Sequence, residues 1–351
     1  MIRIFTPTLA DESITNAQAL TVREIVSRLD PVQFEVAMLR RGEPDPRIAA
    51  RPNTRMLRWT RHGNTPRLLA HYLVSNPDIY FYPREGPLDR AIFWARRYLG
   101  RRTAIVTHIV SGGLDGEDVR PSLLRSCHEA DAVLANNSYV GELLRQRFSV
   151  SAETLHNGID RRYFFPPENP RVSGRTPIVL YAGSFRPYKR VDVVVQAAQR
   201  RPRAEFRIAG TGEEEAACRK LADESACANV RFLGHLTQSQ LGNEMRQADV
   251  FFFPSVIEGH PQVLGQAAAC GLPSVALRSY RPDYVCDGET GFLAGSHAEM
   301  EEKLDLLLHD GSLRSSMSAA AVRHSMKFDW DVIAKRWQEI FLQVVAKRRS
   351  R

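Results

Sequence analysis

Residues 255–276 read SVIEGHPQVLGQAAACGLPSVA and predict the end of one strand, a loop, a helix and the start of the next strand. Glu258 and Gln266 are eight positions apart in this segment. A helix that begins near Pro261 therefore places Glu258 on the entering loop and Gln266 one turn into the helix. Such a strand–loop–helix order is typical of parallel sheets.

The start of this helix has the composition of an anion site. The backbone amides of Gly259 and His260 would lie at the helix N-terminus, where unpaired donors and the helix dipole favour negative charge. A loop carboxylate, two amides and a first-turn side chain fit a sugar attached to a phosphate. The same segment also fits an ordinary connection in which Glu258 is solvated and residues 267–271 pack on a sheet.

The alternation of short apolar runs with longer helical segments extends over the whole chain. It favours βαβ units and parallel sheets of the Rossmann type, which bind ligands at the carboxyl ends of their strands. Two such halves predict a cleft between them. The predicted strands are residues 2–7, 34–39, 79–82, 104–108 and 132–135 in the first half, and 178–182, 205–209, 230–233, 250–254 and 273–276 in the second. The clearest predicted helices are residues 191–199 and 213–225.

A break between the halves lies at residues 161–177, RRYFFPPENPRVSGRTP, where proline, glycine and polar residues concentrate. This composition is typical of a linker between domains. We predict a first domain at residues 1–165, a linker at 166–177, a second domain at 178–329 and a final helix at 330–351.

The composition is typical of a globular enzyme. The chain has 351 residues, of which 43% are hydrophobic and 25% charged, and it has no apolar run long enough to span a bilayer. The N-terminus has no signal-peptide pattern, so we expect a cytoplasmic protein. The five cysteines form no CxxC pair or Cys/His cluster, which predicts neither disulfides nor a zinc site. The net charge of +8 is spread evenly and no recognition motif is visible, so no nucleic-acid partner is expected.

Residues 181–192, YAGSFRPYKRVD, follow a predicted strand and precede a predicted helix. Gly183 permits a tight turn, and Arg186, Lys189 and Arg190 bring positive charge into one loop. A diphosphate needs such cations together with backbone donors. Cations at a helix N-terminus oppose the helix dipole, so an anion site is favoured over a solvated helix start.

Two further strand ends carry glycine. Residues 208–212, IAGTG, lack the third glycine of a dinucleotide motif, so tight packing of strand against helix is the favoured interpretation. Gly234 ends the next strand, where a nucleotide base fits against the backbone and a structural turn fits equally well.

His108 closes a first-half strand within residues 103–113, TAIVTHIVSGG. A histidine at such a strand end is suited to orient a sugar hydroxyl or to stabilise charge at a reacting carbon. A histidine that is satisfied within the core fits the same position and is the commoner case.

Residues 91–102, AIFWARRYLGRR, combine five large apolar side chains with four arginines. One interpretation is an amphipathic patch that docks on anionic lipid, which would give peripheral contact with a membrane. The other is a helix whose aromatic face is in the core and whose arginines are in water, and this second interpretation is favoured.

Together these segments resemble the retaining glycosyltransferases of the GT-B fold, in the fourth sequence family, also described as glycosyl transferases group 1. The resemblance covers nearly the whole chain and also includes residues 130–144, ADAVLANNSYVGELL, 155–167, LHNGIDRRYFFPP, and 287–294, DGETGFLA. It implies an α/β fold with two Rossmann-like domains that face a central cleft and a C-terminal helix that crosses back to the first domain. It also implies that the first domain holds the acceptor and the second holds a nucleotide-sugar donor.

The resemblance assigns roles by position. Glu258 would bind hydroxyls of the donor sugar and His108 would lie beside it at the reacting centre, as the catalytic residues. Lys189, with Arg186, would neutralise the donor diphosphate. The other donor-binding positions that it implies are Gly183, Ser184, Gly234, Gly259, His260, Pro261 and Gln266.

This chain departs from the family pattern in three places. Gln266 stands where the family has the second of two glutamates, which usually binds ribose hydroxyls; an amide still donates and accepts hydrogen bonds. Ser184 stands where many members have arginine. The first loop, residues 6–18, lacks the two glycines that usually approach the donor phosphate, and amides near Thr15 and Asn16 are the alternative.

The activity implied is transfer of a hexose from a UDP- or GDP-sugar to an acceptor, with retention at the anomeric carbon and without a metal or other cofactor. The acceptor is a glycan, a lipid-linked sugar or a small molecule. Two alternatives stay open. One is a sugar-nucleotide epimerase of the same fold, which acts on the donor alone. The other is a nucleotide-sugar-binding protein with impaired catalysis, which the change to Gln266 makes conceivable.

Overall fold

The computed structural model describes residues 1–13, 17–83, 85–109, 121–169, 174–225 and 227–350. The chain divides into two compact units, one made of Met1–Asn157 with Trp330–Arg351 and the other of Gly158–Asp329. Within the described ranges, no helix is long and apolar enough to cross a membrane.

The first unit alternates strands and helices along the chain. Its strands are β1 Ile2–Leu9, β2 Phe34–Arg40, β3 Thr54–Arg58, β4 Ile79–Phe81, β5 Ala104–Ile109, β6 Ala132–Ala135 and β7 Glu153–Thr154. The helices between them are α1 Ala17–Arg28, α2 Pro46–Ala49, α3 Asn64–Ser75, α4 Pro87–Tyr98, α5 Pro121–Glu129 and α6 Ser138–Phe148. The strands pair in the order β3-β2-β1-β4-β5-β6-β7, and every pair is parallel.

The second unit repeats this architecture. Its strands are β8 Ile178–Ala182, β9 Glu205–Ala209, β10 Val230–Gly234, β11 Val250–Phe253, β12 Ser274–Leu277 and β13 Gly291–Ala294. Its helices are α7 Val191–Gln199, α8 Glu215–Glu224, α9 Gln238–Gln247, α10 Gln262–Ala269, α11 His297–His309 and α12 Gly311–Ser325. The parallel sheet has the order β10-β9-β8-β11-β12-β13, so the prediction of two Rossmann-like halves is confirmed.

The central strands of the second unit are apolar on both faces because helices cover both sides of a parallel sheet. Every residue of β8, IVLYA, and of β11, VFFF, is buried. The buried carboxylate of Asp249, next to β11, is satisfied by the amide of Ile178 at 2.8 Å and by Arg175 at 3.0 Å. This arrangement fixes the amino ends of β8 and β11 side by side, and the two strands continue in parallel from there.

The last helix, α13 Trp330–Arg349, belongs to the first unit. Its apolar side chains join the core formed with β1, β2 and β4. The Trp337 and Phe341 rings each lie 5.1 Å from the ring of Phe81 on β4, edge to face. Aromatic burial of this kind holds the helix on the sheet. The predicted return of the C-terminal helix to the first domain is therefore confirmed.

All of the predicted strands are present, but β3, β7 and β13 were not predicted. β3 reads TRMLR and is half exposed at the edge of its sheet, so two arginines interrupt the apolar pattern. β7 consists of only two residues and both are exposed, so it has no apolar pattern. β13 reads GFLA, and a glycine at the start of a short run is typical of a turn. The structure requires glycine there because any Cβ at Gly291 would lie 2.2 Å from the Ser274 carbonyl oxygen of the neighbouring strand.

The chain changes units earlier than the predicted linker at residues 166–177. Residues 158–165 lie with the second unit. The amide of Ile159 donates to the carbonyl oxygen of Phe328 at 2.6 Å, and Arg161 pairs with Asp329 at 3.4 Å. These contacts join the segment that enters the second unit to the segment that leaves it, which no local composition signals.

Candidate functional site

The strand order of the second sheet identifies one place where its loops diverge. β8 lies beside β11, and the chain continues from β8 toward β9 and β10 on one side and from β11 toward β12 and β13 on the other. The loops that leave the carboxyl ends of β8 and β11 therefore separate. Open α/β sheets bind their ligands in the crevice at such a point.

Lys189 and Glu258 meet in this crevice as an ion pair, although they are 69 residues apart in the sequence. Nζ of Lys189 donates to Oε1 of Glu258, and the two side chains are only 14% and 10% exposed. The ammonium group also lies 5.3 Å from the ring centre of Phe253 and 5.5 Å from that of Tyr188. A carboxylate and two aromatic faces hold the cation in place. The two segments that the sequence singled out separately thus form one site.

Backbone contacts fix the two loops against each other. The amide of Val256 donates to the carbonyl oxygen of Tyr188 at 2.9 Å. The Ser255 hydroxyl lies 3.3 Å from the same oxygen. The position of Lys189, one residue further along, is therefore determined by the loop that carries Glu258.

Two buried tyrosines lie close enough to Glu258 to be affected by its charge. Burial, and then the charge of Glu258, raise the pKa of Tyr181 and of Tyr280 above that of an ordinary phenol. The Tyr181 hydroxyl donates to the carbonyl oxygen of Ser184 at 3.3 Å. Both phenols are neutral at physiological pH, so these core side chains add no charge near Glu258.

The other cations of residues 181–192 have different surroundings. The guanidinium group of Arg190 binds both carboxylate oxygens of Asp192, at 3.0 and 2.9 Å. Arg190 thus has its acidic partner two positions along its own segment, whereas the partner of Lys189, Glu258, lies on the opposite loop of the crevice. Arg186 is exposed and forms no ion pair with any described residue. Ser184 is exposed beside it.

The glycines of residues 208–212 allow the loop after β9 to run against the loop after β8. The amide of Gly183 donates to the carbonyl oxygen of Ala209 at 3.1 Å. Any Cβ at Gly210, whose φ is +126°, would lie 1.8 Å from the carbonyl oxygen of Gly183. The close approach is between two loops, whereas the sequence analysis favoured packing of strand against helix.

A pocket of about 250 Å³ lies at the carboxyl ends of β8, β9 and β10. Gly183 and Ser184, which were predicted to bind a donor, line it. The amide of Gly210 donates to the carbonyl oxygen of Gly234 at 2.7 Å, and this hydrogen bond joins the carboxyl end of β10 to that of β9. His235 also lines the pocket, and the sequence analysis missed it. The sequence feature that indicates His235 is its position directly after Gly234, which ends a predicted strand.

Helix α10 begins at Gln262, directly after the buried Pro261, as the spacing predicted. The preceding His260 packs against Tyr284 with 4.4 Å between ring centres and an angle of 35° between the ring planes. Tyr284 also approaches the helix itself, because a Cβ at Gly265 would lie 2.7 Å from its ring. Gln266 is half-buried in the helix. The segment from Gly259 to Gln266 is thus anchored by one aromatic side chain.

His108, at the end of β5 in the first unit, is 2% exposed. Its ring packs edge to face on Tyr82 and Trp337, at 5.9 and 5.3 Å, and its Nε2 lies 3.1 Å from the carbonyl oxygen of Leu155. Nδ1 has no hydrogen-bond partner among the described residues. Burial lowers the pKa of His108 to about 4, so the imidazole is neutral at pH 7. These contacts fit the interpretation of His108 as a satisfied core residue. The role of His108 beside the donor sugar stays a prediction.

The neutral state of His108 predicts a loss of stability in acid. Its pKa is about 4 in the folded unit and about 6.5 in an unfolded chain, so only the unfolded chain takes up a proton between these values. The free energy of unfolding should therefore fall as the pH drops through this range, by about 2 kcal/mol between neutral pH and about pH 5. Urea titrations of the wild type and of His108→Gln at several pH values measure the contribution of His108 to this change in the free energy of unfolding. An unchanged pH dependence in the variant would contradict the assignment.

The first unit has its own point of divergence, between β1 and β4. A pocket of about 330 Å³ lies there, with mostly apolar walls that include Leu9, Leu39, Trp59 and Leu68. The acid that lines it, Asp89, is buried and accepts hydrogen bonds from the Tyr80 hydroxyl and from the Gly86 amide. Its charge is thereby satisfied within the protein. No sequence motif indicated this pocket, because its walls come from four separate segments.

Some predicted positions lie outside the described residues. They are Thr15 and Asn16 of the first loop, residues 110–113 of the segment around His108, and residues 170–173 of the linker.

Two parallel α/β units, with a C-terminal helix that returns to the first, define the GT-B fold. Over the whole chain, the fold is similar to that of sucrose-phosphate synthase from Thermosynechococcus elongatus, with a TM-score of 0.76 and 19% identity over 99% of this chain and 100% of that one. It is also similar to Anabaena HepE in complex with UDP and glucose, with a TM-score of 0.73 and 16% identity over 98% of this chain and 100% of that one.

Residues 166–324 match the model of the family described as glycosyl transferases group 1. This match lies within the second unit and agrees with the family that the sequence motifs indicated.

Curated relatives include a GDP-mannose-dependent monoacylated alpha-(1-6)-phosphatidylinositol monomannoside mannosyltransferase of Corynebacterium glutamicum, which is 28% identical over 63% of this chain. A D-inositol 3-phosphate glycosyltransferase of Mycobacterium leprae is 29% identical over 62% of this chain. The matched regions cover 64% and 56% of these two relatives, which is less than two thirds of either.

Proposed function

We propose that the protein is a retaining glycosyltransferase that uses a nucleoside diphosphate sugar, with UDP- and GDP-sugars as the expected donors. The observation that carries this proposal is the Lys189–Glu258 ion pair in the crevice between β8 and β11. A cation suited to a diphosphate and a carboxylate suited to sugar hydroxyls are in contact there. A nucleotide sugar presents the same two groups side by side, because its diphosphate is bonded directly to the sugar.

Donor binding then exchanges one ion pair for two ligand contacts. Lys189 turns from Glu258 to the diphosphate, with the exposed Arg186 as a second cation. Glu258 accepts hydrogen bonds from sugar hydroxyls in its place. Each charged group keeps a partner throughout, so the exchange leaves no buried charge unpaired. The rings of Phe253 and Tyr188 position the ammonium group in both states.

The same residues serve the transfer itself. The bond from the anomeric carbon to the diphosphate oxygen breaks, and an acceptor oxygen bonds to that carbon on the same face while its proton passes to the diphosphate. Lys189 and Arg186 stabilise the negative charge that grows on the leaving diphosphate. These side chains take the role that a divalent ion has in other transferases, so we expect transfer to continue in the presence of a chelator.

We place the nucleotide in the pocket of about 250 Å³ beside this crevice. The backbone around Gly183, Gly210 and Gly234 leaves room for a flat base, and His235 is a polar group at the pocket wall. Gln266 is the proposed partner of the ribose hydroxyls. The relatives suggest which bases to test first, since one is named as GDP-mannose-dependent and HepE is described in complex with UDP.

A donor panel tests the proposal. Melting temperatures of the protein are compared with UDP-, GDP-, ADP- and dTDP-sugars, and the donor that stabilises the protein is then incubated with and without candidate acceptors. The proposal expects stabilisation by one base and release of nucleoside diphosphate that depends on an acceptor. A change of sugar configuration without acceptor would support the epimerase, and binding without turnover would support the impaired binding protein. Either result would overturn the proposal.

We further propose that the apolar pocket of the first unit receives part of the acceptor. It lies at the carboxyl ends of β1 and β4, as acceptor binding by the first domain requires. Its walls favour an apolar group, such as a lipid or aromatic part of the acceptor.

Filling this pocket should raise the KM for the acceptor. Thr65 lines the pocket in the first turn of α3, and Thr65→Phe would occupy its volume. We expect the acceptor KM to rise by about tenfold with little change in donor affinity, because only acceptor contacts are removed. Ala70→Phe, at an exposed position of the same helix, is the matched control. Equal acceptor KM values in the two variants would exclude this pocket.

A further inference from the structure

Helix α4 presents large apolar side chains to solvent as well as to the core. Ile92 and Phe93 are buried, whereas Trp94 is 55% exposed and Tyr98 is 64% exposed. Leu99, directly after the helix, is 49% exposed. The favoured sequence interpretation placed the aromatic face of this helix in the core. That interpretation is wrong for Trp94 and Tyr98, because α4 buries the opposite face.

The exposed side chains lie on α4 and at the adjoining end of α3. Trp94 and Tyr98 are one turn apart, and their ring centres are 5.6 Å from each other. Val74, at the end of the neighbouring helix α3, is 87% exposed. A hydrogen bond of 3.2 Å from Arg101 to Asn76 joins the ends of the two helices. We call Val74, Trp94, Tyr98 and Leu99, with the arginines described next, the α4 patch.

Exposed arginines on or next to α4 have no acidic partner within the part of the chain that the structure describes. Arg90, Arg97 and Arg102 are exposed, and none of them forms an ion pair with a described residue. Arg97 instead lies over the Tyr98 ring at 5.8 Å. Arg96, which points elsewhere, pairs with Asp131 at 3.3 Å. The α4 patch therefore keeps its positive charge, in contrast to the many arginines of this chain that are paired.

The order of side chains along the helix fits a flat partner. Arg90, Trp94 and Tyr98 follow each other at intervals of four residues, so they lie along one ridge of α4. A ridge of projecting aromatic rings flanked by arginines has the form of a helix that lies in the headgroup region of a bilayer. Tyrosine and tryptophan suit that region because one end of each is polar, and arginine binds lipid phosphates.

We propose that the α4 patch docks the protein on anionic lipid bilayers. Trp94, Tyr98 and Leu99 would enter the headgroup region, and Arg90, Arg97 and Arg102 would neutralise lipid phosphates. Charge complementarity selects this occupant, since unpaired arginines favour an anionic surface over a zwitterionic one. The proposal does not depend on the transferase activity.

Co-sedimentation of the full protein with lipid vesicles tests the proposal. We expect binding to vesicles of phosphatidylcholine with phosphatidylglycerol, weak binding to phosphatidylcholine alone, and a decrease with added salt. The double variants Trp94→Ala/Tyr98→Ala and Arg90→Gln/Arg97→Gln should each lower the partition coefficient by about tenfold. The matched controls are Val332→Ala/Leu342→Ala, exposed on α13, and Arg145→Gln/Arg147→Gln, exposed on α6. These controls should bind as the wild type does.

Tryptophan fluorescence provides a second measurement that needs no loss of binding. Trp330 and Trp337 are buried, and Trp59→Phe removes the remaining exposed indole other than Trp94. In the Trp59→Phe variant, lipids whose acyl chains carry bromine close to the headgroup should quench the fluorescence of Trp94. We expect this quenching with anionic vesicles. Absence of wild-type binding to anionic vesicles, absence of quenching, or patch variants that bind like the controls would each overturn the proposal. Binding to short duplex DNA or an acidic peptide in place of vesicles would overturn it as well.

Discussion

Replacing Lys189 with alanine is expected to weaken binding of the donor by at least about 30-fold. Truncation of one partner in a buried, hydrogen-bonded charge pair costs about 2–5 kcal/mol, which corresponds to an increase of about 30-fold to several thousand-fold in the dissociation constant. The variant loses the cation that faces the diphosphate and leaves Glu258, only 10% exposed, without its partner. Isothermal titration calorimetry with the donor found by the melting panel measures the effect.

The neighbouring Arg190 provides the matched control for this prediction. It has the same charge and lies one position along the chain, but its guanidinium group is bound to Asp192. Arg190→Gln should therefore change the donor dissociation constant by less than about threefold. If Arg190→Gln weakened the donor as much as Lys189→Ala, general electrostatic attraction would explain the binding better than a specific contact.

Replacing Gly210 with alanine is expected to destabilise the second unit by at least about 3 kcal/mol. The new Cβ would lie 1.8 Å from the carbonyl oxygen of Gly183, a backbone atom, at a φ of +126° that side chains rarely adopt. The loop after β8 would have to move, and Lys189 with it. Urea unfolding measures the loss of stability, and the same variant should lose the melting shift caused by the donor.

Gly234→Ala separates the two causes of this effect. Gly234 also has a positive φ, +68°, but a Cβ there meets no atom within 4 Å. This variant should lose about 1 kcal/mol from backbone strain alone. Equal stability of the Gly210→Ala and Gly234→Ala variants would show that the two loops are not held together as described.

The fold was largely predictable because its signals are local. β8 coincides with the predicted strand, since it is an apolar run in a sheet covered on both sides. β9, EFRIA, coincides as well, and its two charged residues, Arg207 and Glu205, pair with each other at 2.8 Å. The missed strand β3 is an edge strand, whose half-exposed TRMLR pattern resembles a loop. The entry of the chain into the second unit at Gly158 depends on contacts with Phe328 and Asp329, which are distant in sequence.

The site was predictable in its parts but not in its assembly. Residue types and strand ends singled out Lys189 and Glu258, yet their contact across 69 residues follows from the adjacency of β8 and β11, which no spacing reveals. Arg190 looked equivalent to Lys189 until its bond to Asp192 was seen. The direction of Trp94 depended on which face α4 buries, and a helix with apolar residues on several sides does not determine that alone.

The most direct test of the central claim compares a nucleoside diphosphate with its sugar-linked form in calorimetric titrations of the wild type and of Glu258→Gln. If Lys189 binds the diphosphate and Glu258 binds the sugar, the wild type should bind the nucleotide sugar more tightly than a nucleotide whose sugar is absent. Glu258→Gln should lose that difference, while Lys189→Ala should lose affinity for both ligands. A wild type that binds neither ligand, or a Glu258→Gln variant that keeps the full difference, would contradict the assignment of this crevice as the donor site.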